Sequence, residues 1–179
     1  MKSESIRNTT ILGVRVGKKI AIGGDGQVTM GDMKMKSKAV KVRSFCDGKI
    51  LAGFAGAVAD AMALFEKFET KLTEVNGNLQ KAVVEMAKDW RTDKILKELD
   101  ALLAIMDNKS AYLLSGSGDV IEPDDQVISI GSGSGYAVAS ARAYLDAGEK
   151  NPTRIVEKAL KITAELCIYT NDKITILEA

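Results

Sequence analysis

Three polar residues stand in suggestive surroundings: Thr9 where a polar leader meets an apolar segment, Asp25 between two glycines, and Lys41 between two valines. The 179-residue chain contains no histidine. That excludes histidine triads, histidine metal sites and any imidazole base, so a base acting near neutral pH must be another group. Cleavage of the Asn8–Thr9 bond would supply one. The new terminus would carry a hydroxyl and an α-amine on one residue, and such an amine titrates at about 7.7–8.0. It can activate the neighbouring hydroxyl directly or through a water. The same boundary also reads as an ordinary frayed terminus before a strand. Lys41 lies two positions before Arg43, and both burial and the second cation would lower its pKa. A solvated strand face is the plainer reading of the basic run Lys34, Lys36, Lys38, Lys41 and Arg43. Asp25 is either a turn aspartate or the partner of a lysine.

A glycine-rich stretch, Gly131-Ser132-Gly133-Ser134-Gly135, precedes a helical pattern. It lacks the third glycine and the following strand of a dinucleotide fingerprint, and no phosphate-loop motif occurs elsewhere. It reads as a helix start with Ser134 near the N-cap, or as a serine set where helix amides favour negative charge. Cys46 and Cys167 form no Cys-x-x-Cys pair and read as two buried free thiols. Lys and Arg number 25 against 24 Asp and Glu, a balance that gives no reason to expect nucleic acid or an anionic membrane as partner. No apolar run reaches the roughly 20 residues of a membrane span. The polar first residues lack a signal-peptide core, so a cytoplasmic location is expected.

The elements that must position these residues follow from periodicity. Residues 1–8 read as a leader and 9–179 as one domain. Ile11 to Val16 and Ile20 to Ile22 read as strands around Gly17-Lys18-Lys19, followed by a polar loop from Gly23 to Gln27. Val40-Lys41-Val42-Arg43 alternates, placing the valines on one face and the cations on the other, and turns at Cys46-Asp47-Gly48 into Lys49 to Gly53. Apolar residues then recur at three and four. This spacing predicts a helix over 56–75 and a second from Leu79 to about Leu99, the latter burying Ala82, Val83, Met86, Trp90, Ile95 and Leu96. Strands return at Leu102–Met106, Ala111–Ser115, Val120–Ile121 and Val127–Ile130. Helices follow at Tyr136–Ala147 and Pro152–Leu166, the proline suiting a first turn. Ile174–Leu177 closes the order. Strands in blocks argue for an α+β fold with largely antiparallel sheets, two sheets face to face and a helix pair outside each.

Several ordered motifs carry a family resemblance. They are Thr9-Thr10-Ile11-Leu12, Gly24-Asp25-Gly26-Gln27-Val28-Thr29, Lys41-Val42-Arg43, Leu51-Ala52-Gly53-Phe54-Ala55-Gly56, Ala87 to Lys94, Ile130-Gly131-Ser132-Gly133 and Leu166 to Asn171. From Thr9 to the C-terminus the chain resembles the proteasome-like threonine peptidases, in the branch formed by the peptidase subunits of bacterial HslUV proteases. The resemblance implies a four-layer αββα sandwich of the N-terminal-nucleophile type. It also implies a homododecamer of two stacked hexameric rings, and capping by a hexameric AAA+ ATPase, HslU, that delivers unfolded protein. It places Thr9 on the nucleophile, Asp25 and Lys41 on its charged partners, Ser132 near the terminal amine and Gly53 on the oxyanion-hole amide. A structural sodium ion held by main-chain carbonyls would fall to Ala164, Cys167 and Thr170, the first being glycine in most relatives. No catalytic cofactor is implied. The helix over 56–75 is expected to supply ring contacts, with Phe65 and Phe68 as anchors. A small-molecule amidase of the same fold and an inactive ring subunit are the competing readings.

Overall fold

A computed structural model describes residues 9–93, 101–115 and 117–179. Strand alternation builds the layers. In β1 (Thr10–Val16), Ile11 joins a cluster with Val42, Leu51, Met106 and Ile130, whereas Leu12 and Val14 join one with Ala137, Ile155 and Leu160. In β6 (Ile50–Gly56), Leu51 enters the first cluster, and Ala52 and Phe54 pack with Phe68, Met86 and Trp90. Successive side chains of a strand point to opposite faces, so each strand is apolar on both sides and needs a layer on each.

Those layers are two sheets and two helix pairs. One sheet has the order β10–β1–β2–β11, with β2 at Lys19–Asp25, β10 at Val127–Gly131 and β11 at Ile174–Glu178. The other runs β5–β6–β7–β8–β9, with β5 at Val42–Phe45, β7 at Ala101–Met106, β8 at Ala111–Ser115 and β9 at Val120–Ile121. All pairings are antiparallel. Helices α1 (Val58–Glu74) and α2 (Leu79–Thr92) cover the second sheet, and α3 (Ser134–Asp146) and α4 (Pro152–Leu166) the first. The expected αββα sandwich is the observed one. Asn78 caps α2 through Lys81 N, and Asn151 caps α4 through Arg154 N ahead of Pro152.

Several local expectations are corrected. Gly23, Gly24 and Asp25 belong to β2: β1 and β11 flank the two glycines as pairing partners, and Asp25 pairs with Ile174 of β11. A separate ribbon, β3 (Val28–Met30) with β4 (Met33–Lys36), was not expected; Met33-Lys34-Met35-Lys36 does alternate, yet all four residues are exposed. β5 starts at Val42, so the alternation through Val40 fails: Val40 is 66% exposed while Lys41 and Val42 are both buried. Cys46 is exposed in a turn with φ 53°, and only Cys167 is buried. Helix α3 begins at Ser134 and not at Tyr136, with Gly133 as N-cap; Ser134 lies next to the cap, as expected, and no side chain makes a cap hydrogen bond. The expected end of the second helix, with Ile95 and Leu96, lies outside the described residues.

Phe65 and Phe68 are core residues and not ring anchors. Phe68 is fully buried, and edge-to-face contacts join Phe45 to Phe65 and Phe68 at 5.8 and 5.5 Å, and Phe54 to Phe65 at 5.5 Å. Truncating such a ring costs about 3–5 kcal/mol. Phe68→Ala should lower the unfolding free energy by about that amount in a denaturant titration. Unchanged stability with loss of assembly would return Phe68 to an interface.

Candidate active site

Asp25 ends β2 with no exposed surface. Its Oδ1 accepts the Thr10 amide at 2.8 Å and Lys41 Nζ at 3.2 Å. Its Oδ2 accepts the amides of Gln27 at 2.8 Å and Asn171 at 3.3 Å. Lys41 is 1% exposed, and Nζ also donates to Gln27 O at 2.5 Å. Burial pushes the Lys41 ammonium below its ordinary 10.5, and the charge and hydrogen bond of Asp25 oppose that fall in part.

Thr9 sits immediately before β1, wholly buried, with φ 116°, a strained value for a β-branched residue. Its carbonyl accepts the Ser132 amide at 2.9 Å. Its hydroxyl oxygen is buried without a hydrogen-bond partner among the described residues. A buried polar atom left unpaired is costly and calls for a reason. Gly131, at φ 95°, has to be glycine, because a side chain there would overlap the Thr9 carbonyl, with Ala55 in ordinary contact on another side. Thr10 anchors the segment: its Oγ1 lies 2.7 Å from Thr170 Oγ1 and accepts the Gly133 amide at 3.0 Å.

The structure therefore brings Thr9, Asp25, Lys41 and Ser132 together, with Ser132 acting through its main chain and its side chain exposed. Gly53 differs from expectation. Phe54 donates its amide to Lys41 O at 3.1 Å. Successive amides of a strand face opposite neighbours, so the Gly53 amide faces β7, where Gly53 pairs with Ala104. Its missing side chain serves packing, since a Cβ would lie 2.5 Å from Ile11 Cγ2. Gly56, at φ 131°, faces the other way, beyond the point where β5 begins at Val42 opposite Gly53. Ala55, beside Gly131 and the Thr9 carbonyl, places this strand end next to Thr9.

Gln27, Thr10 and Asn171 were not singled out from sequence. Gln27 gives its carbonyl to Lys41, and its side-chain amide reaches Thr29 Oγ1 and Ile168 O. Ala164 lies in the last turn of α4, and the Cys167 carbonyl accepts the Thr170 amide at 3.0 Å. Ala164 has no positive φ, so alanine is accommodated there without strain. Carbonyls of a final helical turn lack intrahelical partners, which is the donor chemistry a hard monovalent cation takes. Among the described residues no group of three or more His, Cys, Asp or Glu side chains could hold a metal ion.

Residues 6–179 match the family model of the proteasome subunits. The chain belongs to the proteasome subunit family. It is 55% identical over 172 residues to the ATP-dependent protease subunit HslV of Treponema denticola, spanning 96% of this chain and 97% of the relative. It superposes on the crystal structure of the eukaryotic HslV of Trypanosoma brucei with a TM-score of 0.89 at 38% identity, covering 94% of this chain and 98% of that one. Thiobacillus denitrificans BPH in complex with epoxomicin shares the fold, with a TM-score of 0.74 at 19% identity over 95% and 97% of the two chains. As a proteasome-family subunit of the HslV type, the protein is a threonine peptidase.

A lysine is cationic below its pKa. With that of Lys41 held below 10.5, its charge disappears earlier than in a free lysine as pH rises. The alkaline half-point of peptide hydrolysis should therefore fall below 10.5 while circular dichroism still reports a folded protein. A rate that stays level through that pH would show that the charge is not used.

Proposed function

We propose that the subunit is the proteolytic core of an ATP-dependent protein-degradation complex, with Thr9 as nucleophile after removal of residues 1–8. The observation that carries this reading is the buried Thr9 hydroxyl, without a partner among the described residues, on the residue before Thr10, whose amide the Asp25 of the Asp25–Lys41 pair accepts. Thr9 Oγ attacks the scissile carbonyl, and the freed α-amine takes the hydroxyl proton. The same proton passes to the leaving amine as the peptide C–N bond breaks. Water then hydrolyses the Thr9 ester with the amine again as base. Lys41, held cationic by Asp25, favours the neutral amine and the developing alkoxide by proximity. The Gly56 amide, in place of that of Gly53, is the donor proposed for the oxyanion, a role worth roughly 10²–10³ in rate per donor.

Residues 1–8 keep the Thr9 nitrogen in an amide, which is no base. Removal by attack of the Thr9 hydroxyl on the Asn8 carbonyl is intramolecular, and high effective molarity offsets the absent base. The strained φ of Thr9 adds to this, because strain stored next to a reacting bond is released when that bond breaks.

The name of the Treponema denticola relative, ATP-dependent protease subunit HslV, supports an ATPase partner of the HslU type; the assembly proposed with it is a homododecamer of two stacked hexameric rings, fed unfolded polypeptide by a hexameric AAA+ ring. No described helix is long and apolar enough to cross a membrane, in keeping with a cytoplasmic particle. A sodium ion would be held by the carbonyls of Ala164, Cys167 and Thr170 and would brace the turn that carries Thr170 against Thr10.

Thr9→Ala should abolish peptide hydrolysis while the particle size by light scattering is unchanged. Lys41→Arg should remain poor, since a planar guanidinium does not reproduce a compact ammonium. Turnover surviving in Thr9→Ala would shift attention to Thr10, and wild-type rates in Lys41→Arg would remove the lysine from the mechanism.

A further inference from the structure

Asn171 stands one residue beyond Thr170, in the loop between α4 and β11. Its main-chain amide donates to Asp25 Oδ2 at 3.3 Å. Its side chain reaches three other backbone groups. Oδ1 accepts the amides of Gly26 and Lys173, both at 3.1 Å, and Nδ2 donates to Ser37 O at 3.0 Å. This pattern fixes which end of the carboxamide is which, because the oxygen faces two donors and the nitrogen an acceptor.

The groups it joins are the ones that shape the ion pair. Gly26 lies between Asp25, whose carboxylate holds Lys41, and Gln27, whose carbonyl does the same. Ser37 lies on the arm that returns from β4 towards Lys41. The arms cross closely at this point: Ala39 N donates to Gly26 O at 2.9 Å, and a Cβ on Gly26 would lie 2.5 Å from Ser37 O. A single side chain thus ties the segment bearing Asp25 to the segment leading to Lys41, and its own main chain takes part in the carboxylate's coordination.

We propose that Asn171 is a positioning residue for peptide hydrolysis: it holds the crossing of the two arms so that Asp25 accepts from Thr10 and Lys41 at one oxygen, and thereby sets the reactivity of Thr9. This rests on Thr9 being the nucleophile, as argued above. Loss of the carboxamide leaves the Gly26 amide and Ser37 carbonyl without these partners and lets the arms shift. The reacting group is then less well placed, whereas a bound peptide loses no contact. The signature is a fall in kcat with KM retained.

The test uses the full-length protein as it assembles. Wild type, Asn171→Ala and Asn171→Asp are treated with a small β-lactone, and Thr9 acylation is followed by mass spectrometry alongside steady-state peptide hydrolysis. Particle size and melting are checked in parallel. Asn171→Ala is expected to acylate Thr9 at least about tenfold more slowly than wild type and to lose kcat to a similar degree, with KM within about twofold; in free-energy terms that is about 1.4 kcal/mol. Asn171→Asp keeps an oxygen for Gly26 and Lys173 but no donor for Ser37, and it serves if the alanine variant does not assemble; slower acylation than wild type is expected of it as well. Wild-type acylation rates in the assembled variants, or an effect confined to KM, would overturn the positioning role while leaving the nucleophile intact. Absence of label on Thr9 in the wild-type protein would instead overturn the nucleophile reading itself.

Discussion

A lysine and an aspartate buried together are tolerable only when further hydrogen bonds serve both charges, and the Asp25–Lys41 pair imposes that demand on the fold. Removing water from two charges costs several kcal/mol per ion, and their attraction alone does not repay it. The repayment comes from the main chain. Amides of Thr10, Gln27 and Asn171 donate to Asp25, and the carbonyl of Gln27 gives Lys41 a second acceptor beside Asp25. Those groups come from the start of β1, the end of β2 and the loop after α4. The pair therefore forms only when these parts of the structure are in register, and Thr9, next to Thr10, is placed by the same condition.

Close packing of the layers supplies the second constraint. Ile11 rests where Gly53 has no side chain, which draws the two sheets together one strand step away from Thr9. Gly131 lets the Thr9 carbonyl come against β10, where the Ser132 amide takes it. The result is a hydroxyl fixed in position with no hydrogen bond to compete for it. Such an arrangement is poor for stability and favourable for a nucleophile, a division of roles expected where local strain coincides with chemistry.

Much of this was legible in the residues. Apart from the β3–β4 ribbon, the order of strands and helices followed from the change of period from two to three and four, and the β1–β2 and β5–β6 hairpins followed from their turn residues. The missing histidines and the Asn8–Thr9 boundary pointed to an unusual base. What escaped were features set by tertiary contacts. Lys41 looks like one cation in a basic run, and only the end of β5 at Val42 shows why it turns inward as Lys34 and Lys36 stay exposed. Gly53 and Gly56 are alike in sequence, and strand parity alone separates an amide committed to β7 from one facing outward. Asn171 carries no periodic signal, because its function is to join segments far apart in the chain. Phe65 and Phe68 show the converse: helical spacing identified them as apolar, but the spacing of one helix cannot say whether a sheet or another subunit covers them.

Conversion of the Thr9 nitrogen from an amide to an amine is the central claim, and the intact mass of the purified protein reports it directly. Wild-type protein that hydrolyses peptides should have lost residues 1–8 and begin at Thr9, whereas Thr9→Ala should keep the full leader. Wild-type chains that retain residues 1–8 and still hydrolyse peptides at the rate of chains beginning at Thr9 would contradict the account.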